Sequence, residues 1–441
     1  MNSGRLNLLL FVAVNLAIVL ILVFAWQPAW NIGGDGVGYY AYFRSLYFDH
    51  NFDFSNEFAA YDQFAGTHLA TTLTPIGHVA NLFPVGPSIF WSPFLITASF
   101  FGEGGANPYH LPGYGPNFQI GLFVATVFFL LLGLFFLYRS LENFFGWRIA
   151  FIAATAIWLV SPLVHYVLYE PSMSHVLSFA AISGLLYVYL LRLDNSAKKT
   201  IILTCFVGAA ALIRWQNIIF IFVPLYYLLF DRYILWPQRL KNLLYLILTL
   251  LIVISPQLMM WQHLYGSWLA LPQGGSFLQP LHPNFWGTLF SGYHGLFFWH
   301  PWLLLSLIGV FAYFKKDKKI TILFLLLLAI VIYINSGLSD WMGGRAFGGR
   351  RFDGVLFIFA WGLAEIISRL QNARPIWRSL FYILILLGIG WNLTLDMATS
   401  RNIISLDRAI TLRELFIGQW KMLKEFINKI MQLIIHKLYA K

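Results

Sequence analysis

The chain has 441 residues, of which 59% are hydrophobic and 11% charged, with a mean hydropathy of +0.69 and a formal net charge of +11. A soluble globular chain carries roughly 25% charged residues, so these charges cannot cover a water-facing surface of this size and a soluble domain is excluded. The basic excess does not point to nucleic acid as a partner, because Lys and Arg sit in short turns between apolar runs, as the positive-inside rule predicts.

Each apolar run approaches the ~20 residues a helix needs to cross the hydrocarbon core, and the runs are continuous rather than alternating, which selects helices over a barrel. The expected fold is all-α and polytopic, with about 11 spans, near 6–26, 118–138, 149–168, 173–192, 200–214, 216–231, 242–262, 296–314, 319–336, 353–370 and 377–396. The first run, Leu6 to Trp26, lacks a small-residue cleavage site and reads as a retained span rather than a signal. Alternate turns collect the cations: Arg5; Arg139 and Arg148; Arg192, Lys198 and Lys199; Arg232, Arg239 and Lys241; Lys315, Lys316, Lys318 and Lys319; Arg369, Arg374 and Arg378. That face is expected to be cytoplasmic, with the N-terminus inside and 27–117 outside. Residues 1–400 form a single transmembrane domain in this reading. Residues 401–441 are expected to form an amphipathic interfacial helix, with Leu412, Leu415, Phe416, Trp420, Leu423, Phe426 and Ile427 in a stripe and Lys421, Lys424, Lys429 and Lys437 among them. Cys205 is alone and reads as an inert core residue.

The segment 27–117 is long for a loop and rich in aromatics, which marks it as functional rather than disordered. It opens Gly33-Gly34-Asp35-Gly36-Val37-Gly38-Tyr39-Tyr40. An outward carboxylate at a membrane boundary can act as a general base, and its glycines let a substrate approach the backbone; the same residues also suit a plain turn. Tyr42, Phe43, Arg44, Leu46, Tyr47 and Phe48 suit a helix along the membrane surface. Phe83 to Phe94, interrupted by three prolines, suits a short interfacial or re-entrant helix.

These motifs resemble the GT-C superfamily of membrane glycosyltransferases, in particular the branch of protein O-mannosyltransferases and lipid A aminoarabinose transferases. Gly34-Asp35-Gly36 with Tyr39 and Tyr40 resembles its Asp-bearing motif, although Gly36 stands where the family usually has a second acid. Phe83–Phe94 resembles its Pro-rich segment. Ser161-Pro162 with Tyr169-Glu170-Pro171 resembles the end of its third span, which often carries a second outer acid. Ile213-Arg214-Trp215-Gln216 resembles its Arg-bearing turn. The resemblance covers about the first 230 residues. It implies a sugar donor on a polyprenyl phosphate and a hydroxyl acceptor on a lipid, glycan or protein. Transfer would invert the anomeric centre, with Asp35 taking the acceptor proton.

Later in the chain, Glu170 lies near the mouth of two spans, with His165 and His175 close in sequence; boundary acids are costly and often functional. The three offer donors for a divalent metal, although their spacing matches no metal motif. Asp340-Trp341-Met342-Gly343-Gly344-Arg345-Ala346-Phe347-Gly348-Gly349-Arg350-Arg351-Phe352-Asp353 places three arginines in an outer loop, against the positive-inside tendency. Guanidinium groups bind phosphate through paired hydrogen bonds, so Arg345, Arg350 and Arg351, with Arg214 beside them, read as a clamp for the donor phosphate. The opposing reading pairs these arginines with Asp340, Asp353, Glu170 or lipid headgroups. His294, in Gly292-Tyr293-His294-Gly295, is a further candidate substrate contact.

The expected function is therefore outer-face glycosyl transfer in a bacterial-type inner membrane. Asp35 and Glu170 are the catalytic candidates. Tyr39, Tyr40, His175, Arg214, His294, Arg345, Arg350 and Arg351 are the binding candidates. A flippase, transporter or ligase of lipid-linked glycans is the alternative. A transporter usually carries ionisable residues deep in its spans and paired halves; here the charges gather at the outer mouths.

Overall fold

The apolar run near the N-terminus forms one helix, α1 (Ser3–Trp26), in the computed structural model, which describes residues 3–107 and 109–439. The loop beyond it folds into α2 (Asp35–Arg44), α3 (Ser55–Ala65) and α4 (Gly86–Ser99). The remaining apolar runs become helices whose breaks follow the prolines. After α5 (Pro116–Phe145), the run 147–168 is split at Ser161-Pro162 into α6 (Trp147–Leu159) and α7 (Leu163–Leu168). Proline lacks the donor that would continue the ladder and clashes with the preceding turn. Then come α8 (His175–Leu190), α9 (Ser196–Ile213), a 3-10 turn over Trp215–Ile221, α10 (Phe222–Phe230) and α11 (Trp236–Tyr265). The short α12 (Phe285–Phe290) and α13 (Leu296–Trp299) precede α14 (Trp302–Tyr313), from which Pro301 separates α13. The chain ends with α15 (Lys318–Ser336), a 3-10 turn at Arg350–Val355, α16 (Leu356–Leu370), α17 (Pro375–Ser400) and α18 (Leu412–Tyr439).

The protein is all-α and polytopic. Helices α1, α5, α9, α11, α15 and α17 are long and apolar enough to cross a membrane, and α6, α8 and α14 are shorter apolar helices. Among the described residues there are no strands, only two isolated bridges, Leu73–Val79 and Leu278–Leu338.

Helices in a bilayer gain little from burying apolar surface, so close packing holds them together and small residues mark the tightest crossings. Helices α14 and α16 cross at Gly309 and Gly362. A β-carbon at Gly309 would lie 1.9 Å from the Gly362 carbonyl oxygen, and one at Gly362 would lie 1.9 Å from that of Ser306. Beside this crossing, Trp361 packs edge-on against Phe144, Phe145, Tyr313 and Phe324. At the basic end, fully buried Glu365 receives Lys316 and Arg369, each at 2.7 Å.

The surface helix expected over 42–48 is exposed only at Leu46 and Tyr47; Tyr42, Phe43 and Arg44 are buried at the end of α2. Residues 36–44 are all buried, because the helix is aromatic on every side and has no polar stripe to face water. Ser88 Oγ on α4 donates to the Tyr39 carbonyl at 2.6 Å and accepts from the Phe43 amide at 2.9 Å. Tyr42 donates to the Phe83 carbonyl at 2.9 Å, and Arg44 pairs with buried Glu57 at 3.0 Å. Helix α4 has 14 residues, short of a full span, and carries Pro93 inside it.

Helix α18 rests on the half of α17 away from the basic end, through Trp391 against Phe416, Thr394 Oγ1 donating to Gln419, and Arg401 paired with Glu425 at 3.4 Å. Leu415 and Met422 are buried there, whereas Phe416, Trp420, Leu423, Phe426 and Ile427 are exposed. The side chains of Lys429 and Lys437 lie outside the described residues.

Candidate active site

Asp35 is the first residue of α2, which places its carboxylate at the positive end of that helix. Two close contacts fix the helix start. A β-carbon at Gly36 would fall 2.3 Å from Ser172 Oγ, and one at Gly38 would fall 2.1 Å from the Phe83 ring. Position 36, where the resembled family usually carries a second acid, therefore has no room for a side chain. Asp35 keeps about a third of its side chain exposed (34%), and its Oδ2 lies 3.1 Å from Arg350 Nη2. Burial alone pushes the Asp35 carboxyl up, but Arg350, then His175, Arg214 and Arg351, outweigh it and hold the group below its usual range.

Arg350 comes from the glycine-rich loop between α15 and α16. The loop packs onto histidines behind it. Gly348, at φ +57°, lies where a β-carbon would strike the His300 ring at 2.1 Å, and His294 Nδ1 contacts the Met342 carbonyl at 2.9 Å. The Arg350 side chain is 10% exposed, and its Nε is buried with no partner among the described residues. Burial works against its charge, but Asp35, Tyr166, Glu170 and Tyr39 outweigh this and raise its pKa.

The other arginines of the proposed clamp are differently placed. Arg351 is held by Asp340, at 2.6 Å to the carboxylate and 2.8 Å to the carbonyl. Arg214 lies 3.3 Å from Asp353, and its Nη1 donates at 2.7 Å to His175 Nδ1, which also sits 3.0 Å from that carboxylate. Arg345 is exposed and loosely paired with Asp407 at 3.8 Å, away from Asp35. These contacts match the opposing reading for Arg214 and Arg351. Arg350, whose carboxylate is Asp35 itself, faces the site.

Glu170, in the turn between α7 and α8, is on the same rim. It lies 3.8 Å from His165 Nε2, while His165 Nδ1 lies 2.6 Å from Asp396, a fully buried carboxylate on α17. Phe347 of the glycine-rich loop stacks on the His165 ring at 4.8 Å. Burial pushes Glu170 up, but His165 and Arg350 bring it below its usual range, against an upward push from Asp35.

Tyr39 shares the rim with Asp35; its hydroxyl accepts from Ser174 Oγ at 3.1 Å. Tyr40 points the other way, into the loop core, where it donates to the Gly113 carbonyl beside Tyr114. His294 braces the loop from behind. His165 lies between Asp396 and Glu170, whereas His175 turns to Asp353, so the two histidines do not meet at Glu170 together. Among the described residues no three His, Cys, Asp or Glu side chains form a group suited to a metal ion. Sequence reasoning passed over Asp396, although an acid inside a predicted span is a signal in itself. It also passed over Tyr166, whose hydroxyl accepts from the Phe347 amide at 3.2 Å.

A helical bundle whose first large loop presents an Asp to an Arg-bearing loop late in the chain is similar to known proteins in one family model and in fold. Residues 116–261 match the family model described as dolichyl-phosphate-mannose-protein mannosyltransferase. The fold is similar to that of ArnT from Cupriavidus metallidurans. Against its structure bound to undecaprenyl phosphate the TM-score is 0.54 at 16% identity, covering 90% of this chain and 66% of that one. Against the apo structure the TM-score is 0.54 at 15% identity, with the same coverage. The chain thus spans about two thirds of the length of the solved protein it matches. No curated protein matches it.

Proposed function

We propose that this chain is an integral membrane glycosyltransferase that moves a sugar from a polyprenyl-phosphate donor to a hydroxyl acceptor at the outer face of a bacterial-type inner membrane, with inversion. The observation that carries the reading is the Asp35–Arg350 pair, a part-exposed carboxylate against an otherwise unpartnered buried guanidinium, within a GT-C fold. The bound lipid phosphate of the solved ArnT supports the donor class. The acceptor oxygen attacks the anomeric carbon as the bond to the phosphate breaks. Its proton passes to Asp35, and the polyprenyl phosphate leaves with the electron pair, its charge met by Arg350. Glu170 is the second acid of the site, orienting the acceptor from the same rim as Asp35, and Arg214 and Arg351 set the positive potential around the phosphate. The Lys- and Arg-rich turns support a cytoplasmic side for the opposite end and the N-terminus.

The test is binding of undecaprenyl phosphate to the purified protein. Arg350→Gln is expected to weaken it by about 100-fold, the scale of losing a charge-assisted phosphate contact in a dry site. Arg345→Gln, at an exposed pair, should change it by no more than about twofold. Unchanged affinity in Arg350→Gln overturns the donor assignment.

A further inference from the structure

The end of the bundle away from Asp35 holds a cavity that the transfer reaction does not use. It is about 430 Å³ in volume and lies between the ends of α8, α9, α10 and α15, with Lys199, Arg232, Lys319, Tyr226, Tyr227 and Asp231 in its wall. Lys199 is one turn into α9, and Arg214, beside the active site, caps the other end of that helix. At 1.5 Å per residue the two are roughly 22 Å apart, most of the ~30 Å thickness of a bilayer's apolar core.

The charges of this cavity are unbalanced. Nearby Lys316 and Arg369 both pair with Glu365. Among the described residues, none of Lys199, Arg232 and Lys319 forms an ion pair with a carboxylate, and the single acid in the wall, Asp231, which accepts the Tyr233 amide at 2.9 Å, leaves these three cations in excess. Lys199 is the most telling. It is only 6% exposed, and its ammonium is held by the carbonyls of Tyr189 and Leu191 at 2.8 and 2.6 Å and by the face of Tyr227 at 4.7 Å. A buried cation fixed by neutral groups keeps its positive field for something else. The mouth is amphipathic: Leu229, Phe230, Tyr233, Leu235 and Trp236 are all exposed beside it, in the pattern of a segment seated at the interface of a bilayer.

We propose that this cavity binds the headgroup phosphate of an anionic membrane lipid in the leaflet opposite the active site. The lipid lays its acyl chains over the 229–236 segment and its phosphate among Lys199, Arg232 and Lys319. Basic pockets between membrane helices on the positive side hold such headgroups. The apolar mouth selects a lipid over a soluble phosphate, which would leave those side chains without a partner.

The experiment is native mass spectrometry of the full chain in detergent, titrated with phosphatidylglycerol, phosphatidylethanolamine or glycerol 1-phosphate. The wild type is expected to retain phosphatidylglycerol in preference to phosphatidylethanolamine. The Arg232→Gln/Lys319→Gln variant should lose that retention by roughly tenfold or more, with an unchanged melting temperature, since both positions are exposed. Lys199→Met is a harsher second variant, and the exposed pair decides the matter if it does not fold. Equal retention of the two lipids by the wild type overturns the site. So does undiminished phosphatidylglycerol retention in the double variant. Retention of glycerol 1-phosphate as strong as that of the lipid overturns the lipid assignment.

Discussion

Arg350 Nη2 lies 3.1 Å from Asp35 Oδ2, and this contact joins the start of α2 to a loop from the far end of the chain. In the proposed reaction one guanidinium serves two anions in turn. While the site is empty it holds Asp35 ionised. When a donor phosphate takes its place beside Arg350, Asp35 loses part of its strongest compensating charge, and its affinity for a proton rises at the moment an acceptor hydroxyl needs a base.

The first prediction concerns pH. Asp35 is held below its ordinary value of 3.8 because Arg350 and its neighbours outweigh burial. A carboxylate with a depressed folded-state pKa is ionised above it, so transfer should fall off in acid only below the ordinary value. Any stability that Asp35 contributes is present above the unfolded value and is lost as pH falls through the folded one. Arg350→Gln removes the first compensating charge and leaves burial less opposed. The acid limb of its residual turnover should move to higher pH. A pH–rate profile of the two proteins checks this, and coincident acid limbs contradict it.

Gly36 should not tolerate a methyl group. A β-carbon there meets Ser172 Oγ at 2.3 Å and Ser172 Cβ at 2.7 Å. Gly36→Ala is expected to destabilise by about 1–3 kcal/mol, the usual scale of overpacking. Because α2 carries Asp35 at its tip, turnover should fall as well. Ser172→Gly removes the two closest atoms and leaves only the Ser172 carbonyl oxygen at 3.0 Å, so the double variant should recover part of the melting temperature. Thermal unfolding in detergent reads the outcome; no recovery in the double variant contradicts the packing account.

The His165–Asp396 pair is buried on both sides, with side chains 5% and 0% exposed. Removing one partner of such a pair strands the other, at a cost of about 3–5 kcal/mol, whereas replacing both with apolar groups is near neutral. His165→Leu is therefore expected to lower the melting temperature sharply, and His165→Leu/Asp396→Leu to restore most of it. Equal losses in the single and double variants would show that the ring, through its stack on Phe347, matters more than the charge pair.

The membrane fold was legible in composition, since few charges and continuous apolar runs leave helices as the only way to satisfy the backbone in lipid. The breaks were less so. Pro162 and Pro301 lie inside the runs expected as single spans at 149–168 and 296–314, where the helix breaks, and the 3-10 turns at 215–221 and 350–355 have no local signature. Burial of Tyr42, Phe43 and Arg44 was misjudged because an aromatic stretch with a cation suits a membrane surface, whereas Glu57 pairs with Arg44 inside the loop. Asp35, Glu170 and Arg350 were legible as candidates because charges at span ends stand out against an apolar background. Tyr39 and Tyr40 looked equivalent, yet successive helical residues point about 100° apart, and only Tyr39 faces the rim. Asp396 went unnoticed within an apolar run because its partner, His165, comes from a distant helix.

The most direct test of the central claim is mass analysis of surface glycans and lipid-linked sugars in a strain that lacks this protein, complemented with wild type or Asp35→Asn. The wild type is expected to restore the glycan and clear the accumulated lipid-linked sugar. Asp35→Asn should be made and folded, bind undecaprenyl phosphate, and transfer about 100- to 10,000-fold more slowly, the range for loss of a general base, so the lipid-linked sugar stays accumulated. Restoration of the glycan to wild-type levels by Asp35→Asn would contradict the assignment of Asp35 as the base.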